Sequence, residues 1–204
     1  MIITYQGVQS FKVQFGDTVL AFDPVSKESK HKAGSFGADI ALVSVNHPDM
    51  NGASQASRGE KEAFVISGPG EYEVQGVFVR GAASVTNYSG EAKINTIYSV
   101  SLEGMNICFL GALSDPNISG EAKESLDGID ILFVPVDTLG AAAAYKFAVS
   151  LEPSIIIPMN FGDASLKTFL KEGGEESVKP TDKLTIKKKD LEGKKGEIIV
   201  LEAQ

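Results

Sequence analysis

The sequence predicts an α/β domain of the α+β kind, with helices packed outside two sheets. Three observations carry this. The first half of the chain is a series of short β-branched and aromatic segments punctuated by turn residues. The second half alternates short apolar runs with longer segments of helical spacing. A length of 204 residues, 43% of them apolar, suits one domain with a substantial core, taken as residues 1–204.

Ile2–Tyr5 and Val8–Phe15 read as strands, Gly16-Asp17 as a turn and Thr18–Phe22 as a third strand. Asp23-Pro24 ends this meander, because proline cannot donate to a ladder. Val25–Gly37 is a polar loop, and Asp39–Val45 is an apolar run that fits a strand buried on both faces. Asn46–Gly59 is a second loop, Ala63–Ile66 a short strand and Ser67-Gly68-Pro69-Gly70 a turn. Tyr72–Ala82 predicts a hairpin about Gln75-Gly76, and Ile94–Leu102 pairs with Asn106–Leu110 across Glu103-Gly104. The predicted helices are Asn117–Leu126 after Asp115-Pro116, the alanine-rich Leu139–Leu151, and Asp163–Lys171 capped by Asp163. Ile131–Val134 and Ile155–Pro158 are buried strands between them, and Lys183–Lys187 and Glu197–Leu201 close the chain.

A formal net charge of −8 repels nucleic acid and anionic lipid at long range. Lys179–Lys195 holds seven lysines against Asp182, Asp190 and Glu192. No aromatics interleave them to stack on bases, so the segment reads as a solvated strand and turn. No run reaches the roughly 18 apolar residues of a membrane span, and Met1–Tyr5 has no basic segment leading into an apolar one. Cys108 is the sole cysteine, which excludes an intramolecular disulfide and a cysteine metal cluster; within its apolar strand it is expected to be inert. The expectation is a cytoplasmic protein with neither nucleic acid nor membrane as partner.

Several segments together resemble the metallo-β-lactamase superfamily, in particular its small Zn-dependent hydrolase-like branch related to ascorbate-6-phosphate lactonase. They are TVLAFDP at Thr18–Pro24, ADIALVSVNHPD at Ala38–Asp49, GPGEYEVQGVFVRG at Gly68–Gly81, NTIY at Asn95–Tyr98, CFLGAL at Cys108–Leu113, DILFVPV at Asp130–Val136 and EPSIIIPMN at Glu152–Asn160. They run in order over nearly the whole chain. The resemblance implies a four-layer αββα sandwich of the metallo-β-lactamase type. It also implies a metal centre, whose first loop in active members reads His-x-His-x-Asp-His. A further histidine follows the central hairpin, an aspartate follows Leu-Gly, and a last histidine follows Ile-Pro-Met. Imidazole and carboxylate suit zinc, and a zinc-bound water can lose a proton near neutral pH.

This chain departs from that pattern. Val45 stands at the first histidine, His47 and Asp49 match, and Met50 replaces the closing histidine. Thr86 aligns near the hairpin histidine, Ala112 replaces the aspartate and Asn160 the last histidine. Valine and alanine donate nothing to a metal, and the methionine thioether suits soft ions. Threonine and asparagine oxygens suit harder ions such as calcium. His47 and Asp49 alone do not close a tetrahedral zinc site. His31, the only other histidine, lies in the long loop with no spacing that predicts a place at the site.

Three functions stay open at this point. The first is a catalytically degenerate member, a pseudoenzyme acting by binding or assembly. The second is an atypical mononuclear hydrolase, in which His47, Asp49 and Asn160 hold zinc or another divalent ion with Thr86 or water filling in. The third is a metal-free pocket for a small molecule, lined by Val45, Met50, Ala112 and Asn160. The resemblance also implies a homo-oligomer. Other chemistry has weaker grounds: Glu71 and Glu73 share a strand face but read as solvent-facing. Gly68-Pro69-Gly70 lacks the Lys-Ser/Thr of a phosphate loop. Ser10, Ser67 and Ser114 have no positioned His-Asp partners in the sequence.

Overall fold

The computed structural model describes residues 1–32, 34–57, 59, 62–124 and 126–204. Ala33 and Arg58, in the two predicted loops, and Ser125, in a predicted helix, lie outside the described residues. Among the described residues the chain forms two mixed sheets. The first holds β1 (Ile2–Gly7), β2 (Ser10–Phe15), β3 (Thr18–Phe22), β4 (Ile40–Leu42), β5 (Phe64–Ile66) and a late strand, β12 (Leu184–Thr185). Its order is β12-β1-β2-β3-β4-β5. The second holds β6 (Gly70–Val74), β7 (Val77–Thr86), β8 (Lys93–Leu102), β9 (Met105–Phe109), β10 (Ile131–Pro135), β11 (Ile155–Met159) and β13 (Glu197–Ile198), in the order β13-β11-β10-β9-β8-β7-β6.

Hairpins pair antiparallel, and crossovers pair parallel. β1, β2 and β3 form the meander, and β3, β4 and β5 then run parallel. In the other sheet β6 to β9 are antiparallel, while β9, β10, β11 and β13 are parallel. The inner faces bury Phe11, Leu20, Phe22, Ile40 and Leu42 against Tyr98, Val100, Ile107, Phe109 and Phe133. Phe11 meets Phe133 at 4.6 Å between ring centroids and Phe22 meets Phe109 at 5.1 Å. Each such side chain contributes about 1.5–3 kcal/mol by leaving water.

The second sheet's outer face is covered by α1 (Gly120–Glu124), α2 (Val136–Leu139), α3 (Ala141–Ser150) and α4 (Asp163–Glu172). Ile97, Leu110, Leu132 and Ile156 pack there with Ala144, Ala148 and Phe169. The first sheet's outer face is narrower. Ala21, Ala41, Ala56 and Phe36 cover it, with one 3-10 turn at Ala53–Ala56. The molecule is thus the α/β sandwich expected, with one outer layer reduced to small side chains and a loop.

Some boundaries move for identifiable reasons. The helix predicted over Asn117–Leu126 begins at Gly120, because the Ser119 hydroxyl takes the Ala122 N–H (3.2 Å) and caps it there. The alanine-rich helix breaks at Gly140, whose φ of 79° is outside the helical region. Asp163 is the first helical residue rather than the cap; Gly162 holds the cap position, and its N–H is taken by the Ser165 hydroxyl at 3.0 Å. The closing strands are shorter than predicted, two residues each. No helix among the described residues is long and apolar enough to cross a membrane.

Candidate functional site

The loops that leave the C-terminal ends of β3, β4 and β9 converge at one end of the sandwich. Asp23, directly after β3, is the buried anchor. Its carboxylate accepts the Ser44 N–H and the Ser44 hydroxyl, each at 2.6 Å. Its φ is 40°, a left-handed conformation that costs a non-glycine residue energy. Burial pushes its carboxyl up to about 8, against the lowering effect of the two Ser44 donors. Ser44 in turn accepts Thr96 N–H through its carbonyl (2.9 Å), which joins the two sheets where the loop begins. Tyr98 holds the same seam, donating to the Val43 carbonyl at 2.8 Å.

The loop from Val45 to Gly52 is a compact turn. His47 N–H donates to the Val45 carbonyl (2.8 Å), and the His47 carbonyl accepts from Met50 (2.8 Å) and Asn51 (2.9 Å). The loop packs on the chain after Pro24: Ser26 N–H donates to the Pro48 carbonyl (2.8 Å) and Gly52 N–H to the Pro24 carbonyl (2.7 Å). A Cβ at Gly52 would stand 2.4 Å from the backbone of Val25 and Ser26, so this approach requires glycine. On the facing side, Asn95 supports the loop after β9. Its amide donates to the Leu110 carbonyl (3.0 Å) and its oxygen accepts the Ala112 N–H (2.8 Å).

His47 and Asp49 come together as the resemblance implies. His47 Nδ1 lies 3.5 Å from Asp49 Oδ2 and accepts the Asp49 N–H at 3.2 Å. Asp49 Oδ1 accepts the Ser29 hydroxyl in a short contact, and Oδ2 accepts the Tyr88 hydroxyl at 2.8 Å. Burial pushes the Asp49 carboxyl up, but the Ser29 and Tyr88 donors and the neighbouring His47 and His31 together hold it below the usual carboxylate range. Burial and the Asp49 carboxylate raise the Tyr88 phenol above its ordinary value. His47 Nε2 lies 3.1 Å from Ser89 Oγ, and its ring meets Tyr88 edge-on at 5.0 Å.

The remaining ligand positions have other partners. Val45, Met50 and Ala112 are almost fully buried and pack on one another beneath Tyr88. The concave cup expected at these residues is therefore filled by their own side chains. Thr86 is buried, and its hydroxyl accepts the Tyr88 N–H at 3.0 Å, holding the turn that presents Tyr88. Asn160 is tied to the β1–β2 turn and to α2: its N–H donates to the Val8 carbonyl (2.7 Å) and its carbonyl accepts the Asp137 N–H (2.9 Å).

Sequence reasoning missed several members of this cluster. His31 was given no place here, yet its Nε2 lies 3.9 Å from Asp49 Oδ2, because the Ser29 contact folds the long loop over the site. Tyr88, Ser29 and Ser89 have no motif; only their through-space partners single them out. Asp23 was read as a strand terminator, although an acid at the end of a buried strand is itself a signal. Glu71 and Glu73 are solvent-facing on β6 and Cys108 is buried, as expected.

Zinc does not fit these residues. Both Asp49 oxygens accept protein hydroxyls, both His47 nitrogens are engaged, and apolar side chains occupy three ligand positions. Among the described residues no group of three His, Cys, Asp or Glu side chains is arranged to hold a metal ion.

Two mixed sheets face to face, with helices over the second, a 3-10 turn and loop over the first and loops converging at one end, place the chain in the class of αββα sandwich proteins. A family model described as the Beta-lactamase superfamily domain matches residues 2–160, and the chain belongs to that family. It is similar in structure to a proposed Zn-dependent hydrolase of the metallo-β-lactamase superfamily from Thermotoga maritima. That match has 25% identity and a TM-score of 0.80, covering 100% of this chain and 99% of the other. A proposed metal-dependent hydrolase from Parabacteroides distasonis shares the fold at 19% identity and a TM-score of 0.67, covering 99% and 93%. Igni18, a metallo hydrolase from Ignicoccus hospitalis, shares it at 15% identity and a TM-score of 0.64, covering 99% and 95%. No curated protein matches the chain.

Proposed function

We propose that this chain is a metallo-β-lactamase-fold protein that has given up the family's metal chemistry and works by binding or assembly. The observation that carries this reading is the packing of Val45, Met50 and Ala112 beneath Tyr88. An apolar cluster in mutual contact has neither donors for an ion nor space for its water. Asp49 and His47, the two retained ligand types, spend their polar atoms on Ser29, Tyr88, Ser89 and the loop backbone.

Self-association is the form of assembly we favour. Val85 and Ile94 are cross-strand partners with more than half of each surface exposed, and Phe64 and Val65 are exposed on edge strand β5. Such apolar surface is what an interface between copies would use.

Metal content, measured by plasma mass spectrometry after incubation with zinc, manganese and iron, tests the reading. No stoichiometric ion should remain after desalting. Retention of about one ion per chain, with hydrolysis of a phosphoester, lactone or thioester that disappears in His47→Ala, would overturn it.

A further inference from the structure

Ser89, His47 and Asp49 form a chain of polar contacts to which the metal-free reading gives no chemical role. Ser89 Oγ is 3.1 Å from His47 Nε2, and His47 Nδ1 is 3.5 Å from Asp49 Oδ2. Nucleophilic serine sites use these three residue types in this order, recognised by geometry rather than sequence position. We propose that Ser89 is a nucleophile activated by His47, with Asp49 as the positioning residue, and that it takes the acyl group of small activated esters without a metal ion.

Four further features fit this role. Ser89 is exposed on the turn Tyr88–Gly90, whereas His47 and Asp49 lie behind it with side chains 17% and 12% exposed. The hydroxyl is thus reachable while its partners are shielded. Ser89 has φ 61° and ψ 21°, a strained conformation for a non-glycine residue. The turn is fixed from both sides, by Thr86 Oγ1 on the Tyr88 N–H and by Ser114 Oγ on the Asn87 N–H (3.0 Å each). Asp49 is in turn fixed by Ser29 and Tyr88, so its carboxylate cannot swing away from the imidazole.

The imidazole has two neutral forms. With the Asp49 N–H donating to Nδ1, the ring proton is on Nε2 and points to Ser89 Oγ. Moving it to Nδ1 gives up the bond from the Asp49 N–H, turns the proton toward the Asp49 carboxylate, a charged and stronger acceptor than the hydroxyl, and frees Nε2. The 3.5 Å separation is long for that bond, and such contacts tighten when substrate binds. Ser89 Oγ then adds to the ester carbonyl carbon as its proton passes to Nε2. The adduct collapses, the bond to the leaving alcohol breaks, and Nε2 returns the proton to that alcohol. The acyl group stays on Ser89 as an ester, and water releases it as the acid by the same proton path.

The test uses the full chain in EDTA with a fluorophosphonate probe. The probe forms a P–O bond to a nucleophilic serine and releases fluoride. Peptide mass spectrometry should place the adduct on Ser89. Labelling should vanish in Ser89→Ala and slow by about 100-fold in His47→Gln, the usual weight of a general base, with circular dichroism unchanged in both. Asp49→Asn should slow it while leaving the site of labelling the same. An adduct elsewhere, no adduct, or equal rates in wild type and His47→Gln would each overturn the proposal. Failure of the metal-free reading shows instead as retained metal, so the two outcomes are read separately.

Discussion

At the residue scale, an apolar cluster sits beneath Tyr88. Met50 stands where the family's closing histidine would be, and its side chain is fully buried against Val45 and Ala112. A long, flexible thioether suits an irregular space of this kind. Thr86 follows the same logic with a polar group: its hydroxyl holds the Tyr88 backbone, and Tyr88 then serves Asp49. Met50→Ala should therefore open a cavity and cost about 2–5 kcal/mol of stability, measured by urea denaturation. A change below about 0.5 kcal/mol, the range of an inert surface substitution, would show that Met50 does not fill the cluster. That His47 and Asp49 are neighbours was legible in the sequence, because they are two residues apart in one loop. Tyr88, Ser29, Ser89 and His31 were not, because their roles depend on which loops meet.

At the scale of elements, two loops determine the site. The loop after β4 lies on the chain after β3, with Gly52 N–H on the Pro24 carbonyl and Ser26 N–H on the Pro48 carbonyl. The close approach at Gly52 is to backbone atoms, which cannot rotate away as a side chain can. Gly52→Ala should push the two loops apart and destabilise by about 1–3 kcal/mol. It should also raise hydrogen exchange at Ser26 and Gly52 before it affects the sheets. Unchanged exchange at both amides would contradict the packing. Most strands and turns were legible from β-branched runs and Gly-containing dipeptides. The helix limits at Gly120 and Gly140 and the cap before Asp163 were less so, since a cap or a break depends on one hydroxyl or one φ angle.

At the scale of the molecule, Asp23 couples the join between the sheets to pH. Its carboxyl titrates at about 8 in the fold and near 3.9 in the unfolded chain. Between these values the native state holds a proton that the unfolded state has released. The Asp23 contribution to stability is fully present below about pH 4 and falls as pH rises toward 8. Asp49 acts in the opposite direction: its lowered carboxyl loses its contribution only as pH falls through the acid range. Wild type should be more stable at pH 5 than at pH 8, by a few kcal/mol at most. Asp23→Asn, neutral throughout, should flatten that slope. Urea titrations across this window check it, and parallel profiles for the two proteins would remove Asp23 as the cause.

The sequence by itself determined the class of fold, most of its strands and turns, and which side chains stand where the family it resembles carries metal ligands. Local periodicity, turn chemistry and the identity of a side chain at a matched position are all written along the chain. Only the tertiary structure decided what those side chains touch. Val45 and Met50 share the loop after β4, and Ala112, more than sixty residues on in the loop after β9, joins them only when those loops converge. Ser29, His31, Tyr88 and Ser89 reach His47 and Asp49 for the same reason: contact between distant loops is decided by how the sheets stack, and no local pattern encodes it.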